Sequence, residues 1–323
     1  MEARRPRHRG TLAAPVRLLV LALLGGFLVA SCDLFGPTTG PPTLLIAPTP
    51  TASPTPTPTP TPTPRPRPTP TPTPTPRASP SASLGSGGIS QCPGKTVTAG
   101  SGPLDSEGST NWSGYAATSS DAPVTCIEAT WIQPSISCSK TSHSAISMWV
   151  GIGGFDQDNL EQVGSEVDCD LGKISHFLWH ESLPHERFEQ RLDLTIKAGD
   201  LLQARVRALS SSRFELAIAN LTRDTSFTTT ATNSGLERNS GEWILEAPTG
   251  GCPSACRILP MPNFHSFKFS GTWATVGGVR QPLDGTGFTH VRVKMVTKSG
   301  TTRAAVSSTA GDGSAFVVTW KRS

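Results

Sequence analysis

The chain has 323 residues, with 28 Lys+Arg against 24 Asp+Glu and a formal net charge of +4. The positive surplus sits upstream, because residues 85–323 carry 20 basic and 22 acidic side chains, a balance of −2. Nothing in that balance points to the clustered basic surface that nucleic-acid binding requires.

The first segment reads as an export signal. Arg4, Arg5, Arg7, Arg9 and Arg17 precede an apolar run from Leu18 to Ala30. That run falls well short of the ~20 residues a membrane-spanning helix needs. It ends Val29-Ala30-Ser31-Cys32, which resembles a bacterial lipobox. Residues 1–31 are therefore expected to be a lipoprotein signal peptide and Cys32 its lipidated residue. An ordinary signal followed by a chance cysteine is the plainer alternative. Lipidation implies a membrane anchor, since acyl chains contribute about 0.8 kcal/mol per buried methylene.

Residues 32–85 follow as a Thr/Pro-rich linker, with fifteen of the chain's 30 prolines between Pro48 and Pro80. Such a segment favours extended polyproline II at about 3.1 Å per residue, a stalk of roughly 100 Å. Residues 86–105 read as a short prosegment and residues 106–323 as one folded domain. Beyond Cys32 six cysteines remain, Cys92, Cys126, Cys138, Cys169, Cys252 and Cys256. An even number in an exported chain favours disulfides with their connectivity open, and only Cys252–Cys256 is expected specifically, as a local loop staple. Their spacings fit no common zinc pattern.

Within the domain, apolar residues recur with period two. Examples are Leu192, Leu194 and Ile196; Leu202, Ala204 and Val206; Phe214, Leu216 and Ile218; and Val291, Val293 and Met295. No segment sustains helical periodicity over three turns, so the expectation is an all-β domain. Several catalytic arrangements are missing. There is no Gly-x-Ser-x-Gly elbow, and Asp224-Thr225-Ser226 is a single aspartic-protease-like triplet where that chemistry needs two carboxylates. His180 and His185 stand five apart with Pro184 between them, which rules out the one-face helical pair of a zincin.

Five segments carry a resemblance when taken together. They are Asn111-Trp112-Ser113-Gly114-Tyr115, Trp149-Val150-Gly151-Ile152-Gly153-Gly154, Leu160-Glu161-Gln162-Val163-Gly164, Trp179-His180-Glu181-Ser182-Leu183-Pro184 and Glu242-Trp243-Ile244-Leu245-Glu246. In this order and spacing they resemble the glutamic peptidases, or eqolisins. The resemblance implies an antiparallel β-sandwich of two bent sheets, of concanavalin A-like or jelly-roll type, with its active site on a concave face. It places the catalytic glutamine at Gln162 and the catalytic glutamate at Glu246. Glu181 matches a glutamate lining the family's cleft, and Trp149 a tryptophan beside the catalytic pair. Trp112 and Glu242 are further candidates for substrate contact.

The chemistry of those two residue types is consistent with this. A carboxylate can take a proton from water and hand it to a leaving amine. A neutral amide can donate to the developing oxyanion. If Glu242–Glu246 is a strand, then Glu242, Ile244 and Glu246 share one face while Trp243 and Leu245 enter the core. In β alternation about Gln162, Glu161 should face away and Glu166 the same way. For an isolated segment the plainer reading is an ordinary solvated face. Departures from the fungal pattern are Gly153 in place of an acidic residue, and His180, Ser182 and Leu183 among the residues of an aromatic-rich segment. His180 is expected there to bring a pH-sensitive charge to the cleft. The sequence-level conclusion is a monomeric acid endopeptidase acting on protein or peptide substrates without metal or cofactor. The rivals are a surface-displayed carbohydrate-binding sandwich and a glycosidase using Glu181 with Glu246.

Overall fold

The computed structural model of the chain describes residues 83–85, 87–98, 100–186, 189–250 and 256–323. The expected signal peptide, Cys32, all but the last three linker residues, and Cys252 lie outside that range. Among the described residues the period-two pattern yields strands and turns with no α-helix. In chain order the strands are β1 (Ser83–Gly85), β2 (Lys95–Thr96), β3 (Leu104–Ser109), β4 (Trp112–Thr118), β5 (Val124–Ile132), β6 (His143–Gly153), β7 (Leu160–Asp170), β8 (Lys173–Leu183) and β9 (Gln190–Leu192). They continue with β10 (Leu201–Ala208), β11 (Arg213–Asn220), β12 (Thr225–Thr232), β13 (Ser240–Glu246), β14 (Thr249–Gly250), β15 (Arg257–Ile258) and β16 (Ser266–Val276). The last four are β17 (Val279–Pro282), β18 (Thr289–Val296), β19 (Thr302–Val306) and β20 (Ala315–Trp320).

One layer runs β9–β8–β7–β6–β13–β4–β18, antiparallel throughout, with β3 parallel to β18 at its end. The other runs β12–β11–β10–β5–β16. The pairings β16–β20, β20–β19 and β19–β18 join the layers along one side, so the sandwich is one sheet bent back on itself. Across the core, β10 and β11 face β6 and β7.

The long strands of the first layer are covered on both faces, so their sequences do not simply alternate apolar with polar. Ile146, Met148, Val150 and Ile152 of β6, Val163 and Val167 of β7, and Trp243 and Leu245 of β13 all enter the main core. The opposite faces carry a second apolar cluster of Trp149, Leu160, Phe177, Trp179 and Ile244, with Trp112 and Leu183 packed against it. Two core indoles have their N–H groups paired. Trp243 Nε1–H donates to the Glu128 carbonyl at 2.8 Å, and Trp131 Nε1–H to Ser165 Oγ at 3.1 Å.

The described N-terminal segments join the sheet. Ser83–Gly85, read as linker, pair antiparallel with β12. The stretch read as a prosegment is built into the sheet, β2 parallel to β17 and β3 parallel to β18. A disulfide, Cys92–Cys126, ties it to β5, and the Cys92 N–H donates to the buried Glu128 carboxylate, which also pairs with Arg280. Backbone donors of that stretch thus find partners in the domain, which holds it as part of the fold. A second disulfide joins Cys138 to Cys169. Cys256 is disulfide-bonded too, while Cys252, its expected mate, is outside the described residues.

The Cys92–Cys126 bridge spans a sequence separation of 34. Closing a loop of that length constrains the unfolded chain by about 3–4 kcal/mol. Replacing both cysteines by serine should therefore lower the urea midpoint of the isolated domain clearly. An unchanged midpoint would show that the segment is held by its strand pairing alone.

Candidate active site

The second apolar cluster floors a cleft of about 590 Å³ lined by, among others, Trp112, Gln162, Glu166, Trp179, Glu181, Glu189 and Glu246. A larger groove of about 790 Å³, around Trp131, Ile132, Phe264 and Phe267, is lined by no carboxylate. Strand register explains the cleft. On β7 and β8 the facing pairs are Leu160 with Leu183, Gln162 with Glu181, Gly164 with Trp179 and Glu166 with Phe177. Gly164 leaves the notch in which the Trp179 ring lies. A Cβ there would stand 2.4 Å from the Met148 carbonyl and 3.0 Å from Trp179 Cζ2.

β13 is wedged between β4 and β6, which sets Glu246 opposite Trp112 on one side and Ser147 on the other. Both carboxylate oxygens of Glu246 accept hydrogen bonds. Asn111 Nδ2–H reaches Oε1 at 2.9 Å, and Trp149 Nε1–H reaches Oε2 at 2.9 Å. Trp112 packs edge-on against Trp149 with centroids 5.0 Å apart. Burial raises the Glu246 pKa to about 7, against the pull of the Trp149 and Asn111 donors and with a further push from the Glu181 charge.

Gln162 is buried, and its Nε2–H donates to Glu181 Oε2 at 2.7 Å, while its Oε1 has no hydrogen-bond partner. An amide nitrogen carries two hydrogens, so one remains for a group in the cleft. Burial lifts Glu181 to about 7 as well, opposed by the Gln162 donor and reinforced by Glu189 and Glu186. Glu166 faces the same way as Gln162, as alternation predicted, and burial holds its pKa well above the usual carboxylate range.

Three of the residues named from the sequence lie away from the open cleft. Glu242 shares a strand face with Glu246 but is fully buried and absent from the cleft lining. It stands beside Ala116 and Gly151, deeper along the strand, where β4 and β6 flank it on both sides. Burial holds its carboxyl well above the ordinary value, and no part of it reaches the cleft lining. Trp149 is also fully buried and acts on Glu246, not on the open cleft. His180 brings no charge to the cleft. It stacks on Phe227 at 5.6 Å on the other face of β8, where burial lowers its pKa to about 4.

Trp112, Glu181, Gln162 and Glu246 all line the cleft. Asn111, though present in the first motif, was not singled out as a site residue. Its contact with Glu246 depends on the β4–β13 pairing, which spacing along the chain does not reveal. Behind Gln162, on the opposite face as alternation indicated, Glu161 is fully buried and accepts from Ser182 Oγ–H at 2.6 Å and Asn233 Nδ2–H at 3.0 Å.

A bent β-sandwich whose cleft holds a glutamate, a glutamine and their tryptophan and asparagine supports belongs to the architectural class of the glutamic peptidases. The Peptidase A4 family model matches residues 110–320, and the chain belongs to that family. Among curated proteins it is 30% identical to aspergillopepsin-2 of Aspergillus niger over 136 residues, 41% of this chain and 46% of that protein. The chain thus spans about half the length of the curated relative it matches. In structure it is similar to scytalido-glutamic peptidase with a peptide-based transition-state analog, at TM-score 0.56 and 23% identity, covering 66% of this chain and 98% of that one. It is likewise similar to SCP-B, an eqolisin in complex with the tripeptide Ala-Ile-His, at TM-score 0.54 and 23% identity, with the same coverage. At that identity the structural likeness is one of fold.

The buried carboxylates have a consequence for stability. Glu161, Glu181 and Glu246 rise from 4.5 to about 7 on folding, so the fold favours their protonated forms. Their contribution is complete below about pH 4.5 and is lost as pH rises through 7. His180, lowered from 6.5 to about 4, works the other way, contributing above 6.5 and losing this as pH falls through 4. Three groups against one set the net sign between pH 5 and 7.5. The urea midpoint should fall over that interval, and Glu161→Gln should shrink the fall. A midpoint that is flat or rises with pH would contradict the assignment.

Proposed function

We propose that the chain is an endopeptidase active on the acid side of neutrality, with Glu246 as general base and then general acid and Gln162 as oxyanion donor. The observation that carries this reading is that Glu246 and Gln162 line one cleft, each with an outer group fixing its orientation. Glu246 takes a proton from water as the water oxygen bonds to the scissile carbonyl carbon. The carbonyl oxygen, now negative, accepts the free Nε2–H of Gln162. Glu246 then gives the proton to the amide nitrogen, the C–N bond breaks, and a carboxylic acid and an amine leave.

Glu181 has two roles here. It occupies the other Nε2 hydrogen of Gln162, which turns the NH₂ end of the amide into the cleft. Its charge also raises the proton affinity of Glu246, and both carboxyls titrate near pH 7. Loss of both protons leaves two charges in a poorly solvated cleft and no acid for the leaving amine, so turnover should fall above pH 7.

The test is casein or peptide cleavage by the purified domain from pH 2 to pH 8. Glu246→Gln should abolish it, and Gln162→Ala should lower kcat by about 10²–10³-fold, the usual loss for one oxyanion donor. No cleavage at any pH, or full activity in Glu246→Gln, would reject the proposal. Release of reducing sugar that is indifferent to Gln162→Ala would establish the glycosidase rival, and glycan binding without cleavage the binding-module rival.

We further propose that the domain is exported and tethered through a lipidated Cys32, with the Thr/Pro segment as spacer. Support comes from the basic and apolar leader and from the residues preceding Cys32. Cys32→Ser should move the protein from the membrane fraction to the soluble one in cells that process lipoproteins, and retention in the membrane would refute the anchor.

A further inference from the structure

The contact between Asn111 and Glu246 depends on which end of the Asn111 amide faces the carboxylate. With the NH₂ end inward, Nδ2–H donates to Glu246 Oε1 at 2.9 Å. With the amide reversed, a carbonyl oxygen would sit against an oxygen of the carboxylate, tolerable only when Glu246 is protonated. Something must select between these states.

Ser109, the last residue of β3, does so by elimination. Its Oγ receives the Trp112 N–H at 3.0 Å and the Asn111 N–H at 3.4 Å. Those two donors take the oxygen's lone pairs. The hydroxyl hydrogen is left, and the third neighbour is Asn111 Oδ1 at 3.3 Å, which can only accept. The carbonyl end of the amide is thereby occupied, and the NH₂ end is turned to Glu246. The turn itself is pinned from β19, where Arg303 Nη1–H donates to the Thr110 carbonyl at 2.9 Å. Ser109 stands one residue before the span 110–320 matched by the family model.

We infer that Ser109 is a positioning residue for peptide hydrolysis: its hydroxyl orients the Asn111 amide and, through it, the Glu246 carboxylate. This rests on the catalytic role proposed for Glu246. The alternative is that Ser109 only caps the chain reversal between β3 and β4. The two differ in what they do to the proton on Glu246. Losing the hydroxyl frees the amide to reverse, which weakens a donor to the ionised carboxylate and favours its protonated form. The other charged groups near Glu246 are Glu181 of β8, Glu166 of β7 and Glu189 before β9 on the cleft side, and Arg303 behind Thr110. Substitution of Ser109 leaves all of them in place.

The experiment compares wild type, Ser109→Ala, Ser109→Thr, Asn111→Ala and the Ser109→Ala/Asn111→Ala pair. Thermal melts restrict the comparison to folded protein. Ser109→Ala should lower kcat about 10- to 100-fold with KM little changed, the size expected for a hydrogen bond to a charged group. It should also move the alkaline limb of the pH profile upward. Ser109→Thr, which keeps the hydroxyl, should restore both. In the Asn111→Ala background, Ser109→Ala should have no further effect, because the amide it orients is gone. Additive losses, or a lower melting temperature with an unmoved pH profile, would reduce Ser109 to a cap. A carboxyl-carbon NMR titration of Glu246 in wild type and Ser109→Ala reads the same lock without turnover. An upward displacement supports the inference, and no displacement overturns it. If wild type cleaves no peptide, the proposed function fails while this titration still decides on Ser109.

Discussion

The insertion of β13 between β4 and β6 is the constraint from which the site follows. A central antiparallel strand must match register on both edges at once, and here the two matches bring donors from opposite sides to one carboxylate. From the β4 edge comes Asn111, and from β6 comes Trp149, each donating to a different oxygen of Glu246. Trp243 and Leu245, on the other face of the same strand, are fully buried in the core and prevent it from slipping. A one-residue shift would exchange the glutamates for those apolar side chains.

Electrostatics in this layer is governed by incomplete compensation. Carboxylates removed from water regain only part of their solvation through donors, and the deficit appears as raised proton affinity. Glu246 and Glu181 on the cleft face, Glu161 behind them and Glu166 farther along β7 all show this direction. Glu242 is the extreme case, fully buried with only the Ser240 hydroxyl to offset its lost solvation. The result is a layer that holds protons tightly near neutrality, suited to general acid and base work because a group with pKa near the working pH can both take and give a proton.

The two faces of β7 and β8 divide the labour. Gln162 and Glu181 meet on the cleft face at 2.7 Å, while Glu161 and Ser182 meet at 2.6 Å on the opposite one. Asn233 ties Glu161 and the Leu183 carbonyl together from beyond β12. The cleft face is therefore backed by a hydrogen-bonded layer and not by apolar packing alone.

Much of this was legible in the chain itself. Period-two alternation indicated strands, and the pattern of Glu242 to Glu246 indicated which side chains would enter the core, since alternation on a strand is a local property of the backbone. The same local rule separated Glu161 from Gln162 and Glu166. Motif order pointed to the cleft residues through family resemblance. Depth was not legible. Glu242 and Glu246 look equivalent by alternation, yet flanking strands seal one and leave the other at the end of β13 open to the cleft. His180 looked like a cleft residue by motif and was placed on the other face by the alternation of β8. Residues 86–105 read as a short prosegment, and their pairing with β17 and β18 and the Cys92–Cys126 bridge join strands that adjacency along the chain does not reveal. By itself the sequence determined which residue types could do the chemistry and which face of each strand they would take. Tertiary structure alone decided burial, hydrogen-bond partners and proton affinity, because these depend on strands far apart in the chain packing side by side.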